Sequence, residues 1–185
     1  MKARISCARI ALSFCVLLSW AVAQESPPAL DGPKVIFQDP LFDKMVGRWK
    51  VGGTIRGRTA EQSVGAQWVL NHQFLQVHEK GVPDAKNGGP GYEALVMVGF
   101  DHASERYVAH WMDIYGGRFS ETLGYGVRSG DQIEFVFEYP DGPFHTTFRW
   151  LPEKNQWQWL MRTKDNLGRW VEFANLVLTR EPAAH

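Results

Sequence analysis

The chain has 185 residues, 44% of them hydrophobic, and its 20 basic and 20 acidic side chains cancel. That length supports one domain with a sizeable core, and the balanced charge leaves no basic stripe for a nucleic-acid partner. The cysteines, Cys7 and Cys15, both stand near the N-terminus, which argues against a disulfide framework, a thiolate metal site or a cysteine nucleophile in the folded part.

Lys2, Arg4 and Arg9 form a positive start, residues 10–20 an apolar run too short to span a membrane, and Ala21-Val22-Ala23 a small-x-small cleavage site. Residues 1–23 are therefore predicted to be a signal peptide, cut before Gln24, with a periplasmic or extracellular destination and no transmembrane anchor after cleavage. Cleavage would remove both cysteines and three of the 20 basic residues, leaving a net charge of about −3 on about 162 residues. Residues 24–39, rich in Pro and Gly, read as an extended leader. The domain proper is placed at 40–181. Asp39 as N-cap and Pro40 at the first helical position predict a short helix over 40–46, ended by Gly47.

Strand-like runs follow at 49–56, 62–70, 74–80, 93–100, 106–114, 119–127, 132–139, 144–151, 156–162 and 170–179. Turn residues separate several of them: Gly116-Gly117, Ser129-Gly130, Pro140-Asp141-Gly142-Pro143 and Asp165-Asn166-Leu167-Gly168. Short links predict an all-β fold: a single up-and-down antiparallel barrel of about ten strands, which leaves no edge exposed. The long connection, 81–92, holds four Gly and two Pro and is a candidate lid over one mouth. Aromatic residues make up 13% of the chain. Ile133, Phe135, Phe137 and Tyr139 alternate with polar neighbours, as do Phe144, Phe148 and Trp150. These rings would line a pocket or, equally, fill a solid core.

Gly47-Arg48-Trp49 after a short helix, with Arg180 at the end of the last strand, resembles the lipocalin and wider calycin barrels. In those folds the Trp and Arg stack at the closed end, a guanidinium over an indole face. Val98-Gly99-Phe100-Asp101, Arg106-Tyr107-Val108, Trp111-Met112-Asp113 and the ending Leu178-Thr179-Arg180 are together similar to the secreted bacterial domain-of-unknown-function family numbered 1579. That resemblance implies the barrel and export, and supplies no activity. The chain also resembles the ten-stranded nitrobindin-like haem barrels, which use a His on the C-terminal strands. Residues 170–179 contain none, so no cofactor is expected, with His110 or His145 left as ligands only if they point inward.

The sharpest chemical candidates are Asp113, which shares a face with Trp111, and Glu121, which shares a face with Tyr125. A two-residue Gly116-Gly117 turn would set Asp113 opposite Ser120. One residue more would set it opposite Glu121, with Trp111 opposite Leu123, and keep both apolar faces on one side; that register is favoured. Two facing carboxylates in a dry site cannot easily both ionise, so one would hold a proton near neutral pH. Alternatively both are solvated at the rim, or pair with Arg118 or Arg162. The histidines form no metal-ligand spacing. Trp157, Trp159 and Met161 share a face that would make an apolar wall or fill the core. There is no Gly-x-Ser-x-Gly elbow and no phosphate-binding loop.

The expectation is an exported barrel that binds a small hydrophobic or amphipathic molecule non-covalently. Its pocket would use Trp111, Tyr125, Phe137, Trp157 and Trp159, with Asp113 and Glu121 as polar anchors and Trp49 and Arg180 as structural residues. The alternatives are an isomerase or hydrolase using a pocket carboxylate, or a solid-barrel structural protein of the cell envelope. Oligomeric state is left open.

Overall fold

The computed structural model describes residues 36–83 and 91–182. The expected signal peptide, most of the leader and residues 84–90 of the expected lid lie outside them. Ten strands follow in order: β1 (Gly47–Ile55), β2 (Arg58–Val69), β3 (Phe74–Gly81), β4 (Glu93–Asp101), β5 (Arg106–Asp113), β6 (Leu123–Ser129), β7 (Gln132–Tyr139), β8 (Gly142–Leu151), β9 (Gln156–Lys164) and β10 (Trp170–Arg180). Each pairs antiparallel with its neighbours in sequence, and β10 closes on β1. Two short helical turns, α1 (Pro40–Asp43) and α2 (Gly117–Ser120), flank the strands. The expected fold class is thus observed: an all-β closed barrel of lipocalin-like form. Among the described residues no helix is long and apolar enough to cross a membrane.

One end is sealed by α1. The Asp39 carboxylate caps it, accepting from the N–H groups of Leu41 at 2.7 Å and Phe42 at 3.3 Å, while Pro40 supplies a preset φ at the first position. The same buried carboxylate accepts from the Tyr107 hydroxyl on β5 and lies 3.1 Å from Arg128 on β6. One side chain thereby starts the helix and ties it to two strands. Burial, and then Asp39, push the Tyr107 hydroxyl up to about 12. Trp49 is fully buried beneath the turn and donates from Nε1 to the Met45 carbonyl at 2.7 Å. The Arg180 guanidinium lies 4.2 Å above its ring, as the sequence suggests, and donates to the carbonyls of Val46 at 2.8 Å and Lys44 at 2.6 Å. Carbonyls beyond the helix end have no partner of their own, and Arg180 fills that vacancy.

Alternation places the inward set of each strand. Phe135 on β7, Phe148 on β8 and Trp157 and Trp159 on β9 fill the half of the barrel next to α1. Their rings meet edge-on, Phe148 to Trp159 at 5.0 Å and Phe135 to Phe148 at 5.7 Å.

The β5–β6 hairpin departs from expectation. The expected strand over 119–127 begins only at Leu123, because Gly116, at φ 82, leads into the helical turn α2. The register pairs Ala109 with Gly124 and His110 with Leu123. Asp113 therefore does not oppose Glu121, nor Trp111 Leu123. The inward positions of β6 are the glycines. A Cβ at Gly124 would stand 2.5 Å from the Phe137 ring, and one at Gly126 2.8 Å from Phe135. Gly124→Ala is expected to cost about 1–3 kcal/mol by overpacking. Gly65→Ala on the outer face of β2, where a Cβ meets open space, should stay within about 0.5 kcal/mol. Urea denaturation of the two variants checks this; equal losses would contradict it.

Candidate functional site

The half of the barrel away from α1 is hollow. Its cavity of about 820 Å³ is walled by Trp111, Phe137, Tyr139, Phe144, Met161 and Phe173 among others. That size suits a small organic ligand. The strands position this wall simply. Phe137 and Tyr139 are the last inward residues of β7, their rings stacked at 5.4 Å, and Phe144 stands near the start of β8, with Phe173 at 5.0 Å. At the rim, Phe119 from α2 packs edge-on to Tyr139 at 5.5 Å, and Arg118 is paired with Asp141 at 2.8 Å. Arg56 lies over the Phe173 ring at 4.9 Å.

The polar groups gather on one wall. Ala94 on β4 pairs with Glu79 on β3 and with Asp113 on β5. The two carboxylates therefore flank a single small residue at one level of the inner surface. Glu79 is 2% exposed and Gln62, from β2, is 9% exposed. Burial raises the Glu79 carboxyl to about 8; a Gln62 hydrogen bond opposes the rise and the Asp113 charge adds to it. Tyr92, immediately before β4, donates from its hydroxyl to Asp113 Oδ2 at 3.3 Å and accepts from Trp111 Nε1 at 3.0 Å. Its backbone carbonyl accepts from the Gly81 N–H at 2.7 Å, which joins the two ends of the 81–92 segment. Burial, and then the Glu79 charge, hold the Tyr92 hydroxyl protonated well above its ordinary range. The same two kinds of cause, with Asp113 as the charge, push Tyr139 up to about 12. A carboxyl that keeps its proton at neutral pH beside a second carboxylate can donate a hydrogen bond or a proton.

Of the residues singled out in the sequence, Trp111, Asp113 and Phe137 line this cavity. Trp157 and Trp159 are inward but fully buried in the filled half, so they serve as core. Tyr125 points outward, 40% exposed, beneath the Arg106 guanidinium at 3.8 Å, and Glu121 is exposed beyond α2. The apolar face that Phe119, Glu121, Leu123 and Tyr125 share in the sequence predicts both inside; the inward positions of β6 are Gly124 and Gly126 instead. The inner acid facing Asp113 is Glu79. Its signal was its even spacing from the inward Leu75 and Val77; Gln62 is likewise in phase with Val64 and Ala66. Tyr92 precedes its strand and carries no such signal.

The residues present do not fit a histidine-ligated haem. Of the described histidines, none lines the cavity. His110 faces outward to the Ser120 carbonyl at 2.6 Å, and His145 outward to Glu134 at 3.2 Å. Among the described residues no group of three His, Cys, Asp or Glu side chains could hold a metal ion.

The class defined by this fold and site is a closed ten-stranded barrel, packed at one end and hollow at the other. No protein-family model matches the chain, and no curated protein matches it. Among solved structures it is similar to the crystal structure of Rv2717c from M. tuberculosis, at 12% identity and a TM-score of 0.44, covering 79% of this chain and 100% of that one. The site's chemistry is therefore read from this chain's own residues.

Proposed function

We propose that the protein is exported, belongs with the secreted barrels its motifs resemble, and binds one small hydrophobic or amphipathic molecule non-covalently. The observation that carries this reading is the cavity of about 820 Å³, apolar on most walls and polar on one. A solid structural barrel would have filled that volume with side chains.

Asp113 tests the reading because it lines the cavity without belonging to the buried core. N-phenyl-1-naphthylamine, whose fluorescence rises in apolar surroundings, is expected to bind one per chain. Asp113→Ala should weaken it about tenfold, the worth of one hydrogen bond to a charged group, and lower stability only by the loss of the Tyr92 acceptor, about 1 kcal/mol. A sharp fall in melting temperature with unchanged binding would make the acid structural.

A second reading is favoured by Glu79 specifically. A buried carboxyl raised to about 8 beside Asp113 is suited to general acid catalysis near neutral pH. An isomerase of this kind would lose turnover in Glu79→Gln while its ligand still bound.

A further inference from the structure

We propose that the cavity's occupant carries a primary ammonium group, seated on Glu79 and Gln62, with its apolar body along Trp111, Phe137 and Phe144. This rests on the binding reading above and names the ligand class.

The first argument is hydrogen-bond accounting. Among the described residues Glu79 Oε2 and Gln62 Oε1 are buried without a partner, as is Thr146 Oγ1 on the opposite wall; once Glu79 is ionised, as a bound cation requires, its Oε2 and the Gln62 Oε1 are both acceptors that need a donor. A buried polar atom left unpaired costs about 1–3 kcal/mol. The Gln62 side chain already bonds Glu79, so the two groups form one polar cluster on the cavity wall. An ammonium has three donors and no acceptor, whereas a carboxylate or carbonyl has only acceptors.

The second argument is charge. Among the described residues Glu79, Asp113, Asp141 and Glu172 line the cavity against one base, Arg56. Arg118 neutralises Asp141 at 2.8 Å, and Arg56 sits at the rim over Phe173. The inner wall is therefore acidic. An anion seated there would meet both Glu79 and Asp113.

The third is the walls. Aromatic faces attract a cation that has shed its water. Tyr92, Trp111 and Phe137 ring the acidic floor.

A proton linkage follows. With no cation present Glu79 holds its proton up to about pH 8. The groups that face it are Gln62 from β2, Asp113 from β5 and Tyr92 before β4, with Arg56, Tyr139 and Glu172 across the cavity. An ammonium would displace that proton. Affinity should then climb about tenfold per pH unit below 8 and level off above it. An alkylamine stays charged throughout that range.

The test is calorimetric titration of the mature chain with decylammonium, decanol and decanoate, each from pH 6 to 9. Decylammonium is expected to bind at least about tenfold tighter than the other two at pH 8, with about one proton released per molecule bound at pH 7. Glu79→Gln should abolish both the preference and the pH dependence. If decanol or decanoate binds as tightly as the amine, the ammonium proposal falls and the binding reading stands. A Glu79→Gln protein that keeps the preference also overturns it. If none of the three binds, the ammonium proposal falls, and the binding reading falls with it only where N-phenyl-1-naphthylamine also fails to bind. The wild-type comparison decides even where the variant fails to fold.

Discussion

Replacing Trp49 with alanine is expected to remove about 3–5 kcal/mol of stability. Small domains have about 5–15 kcal/mol in total, so the variant should be partly unfolded at moderate temperature. The loss has three parts. Trp49 is fully buried, and its removal opens a void that α1 and its neighbours cannot refill. Its Nε1 bond to the Met45 carbonyl, 2.7 Å, disappears and leaves that acceptor buried. The Arg180 guanidinium loses the ring it covers at 4.2 Å. Arg180→Ala removes the last contact and two carbonyl partners but opens no void, since Arg180 is exposed. It should cost less, about 1–2 kcal/mol. Urea unfolding followed by far-UV circular dichroism separates the two. A Trp49→Ala loss below about 1 kcal/mol would mean that the end plug is held by something else.

Glu79→Gln is expected to stabilise the protein at neutral and mildly basic pH. The carboxyl stands at about 8 in the folded chain against 4.5 as an ordinary Glu. Below 4.5 the folded and unfolded chains both carry the proton, and Glu79 contributes no pH dependence. Between 4.5 and about 8 the folded chain keeps a proton that the unfolded chain has shed. Stability therefore falls as pH rises, by about 1.4 kcal/mol per unit. Above 8 the loss is complete, and it amounts to several kcal/mol. Glutamine keeps the shape and the partners without the charge. The variant should match the wild type near pH 4.5 and exceed it increasingly up to pH 8. Glu93, Asp101 and Asp165, whose carboxyls are held below their usual range by hydrogen bonds, act in the opposite direction and at more acid pH. They are common to both proteins and cancel in the difference. A pH-independent difference, or a loss at pH 8, would contradict the account of Glu79.

Most of the barrel was legible in the chain because period-two alternation and turn residues carry it. The seventh strand is found where alternation puts it, Gln132–Tyr139, and the helix starts at Pro40 behind Asp39. The Trp49–Arg180 pair is expected from the resemblance to lipocalin barrels, and the β1–β10 register sets the two residues opposite each other. The sixth strand departs from expectation for a physical reason. Its inward face is Gly124 and Gly126, which have no side chain to announce burial, and its outward face displays Leu123, Tyr125 and Val127. Hydrophobic alternation then points the wrong way. That error carried Tyr125 and Glu121 into the expected pocket.

The site itself was half legible. Trp111, Asp113 and Phe137 stand on strands whose alternation is plain. Glu79 is harder to see because a buried acid breaks the apolar rule that reveals an inward position. Which half of a barrel is filled is a matter of three-dimensional packing. Trp157 and Met161 share a face of β9 and both belong to the core cluster, yet of the two Met161 alone also lines the cavity.

The most direct measurement is native mass spectrometry of the mature protein purified from its own cells, with and without organic extraction. The account expects one additional mass per chain, released by solvent and replaced one for one by an added amphiphile. A chain that flies at its bare mass, and that takes up no amphiphile after extraction, would contradict a ligand-binding cavity.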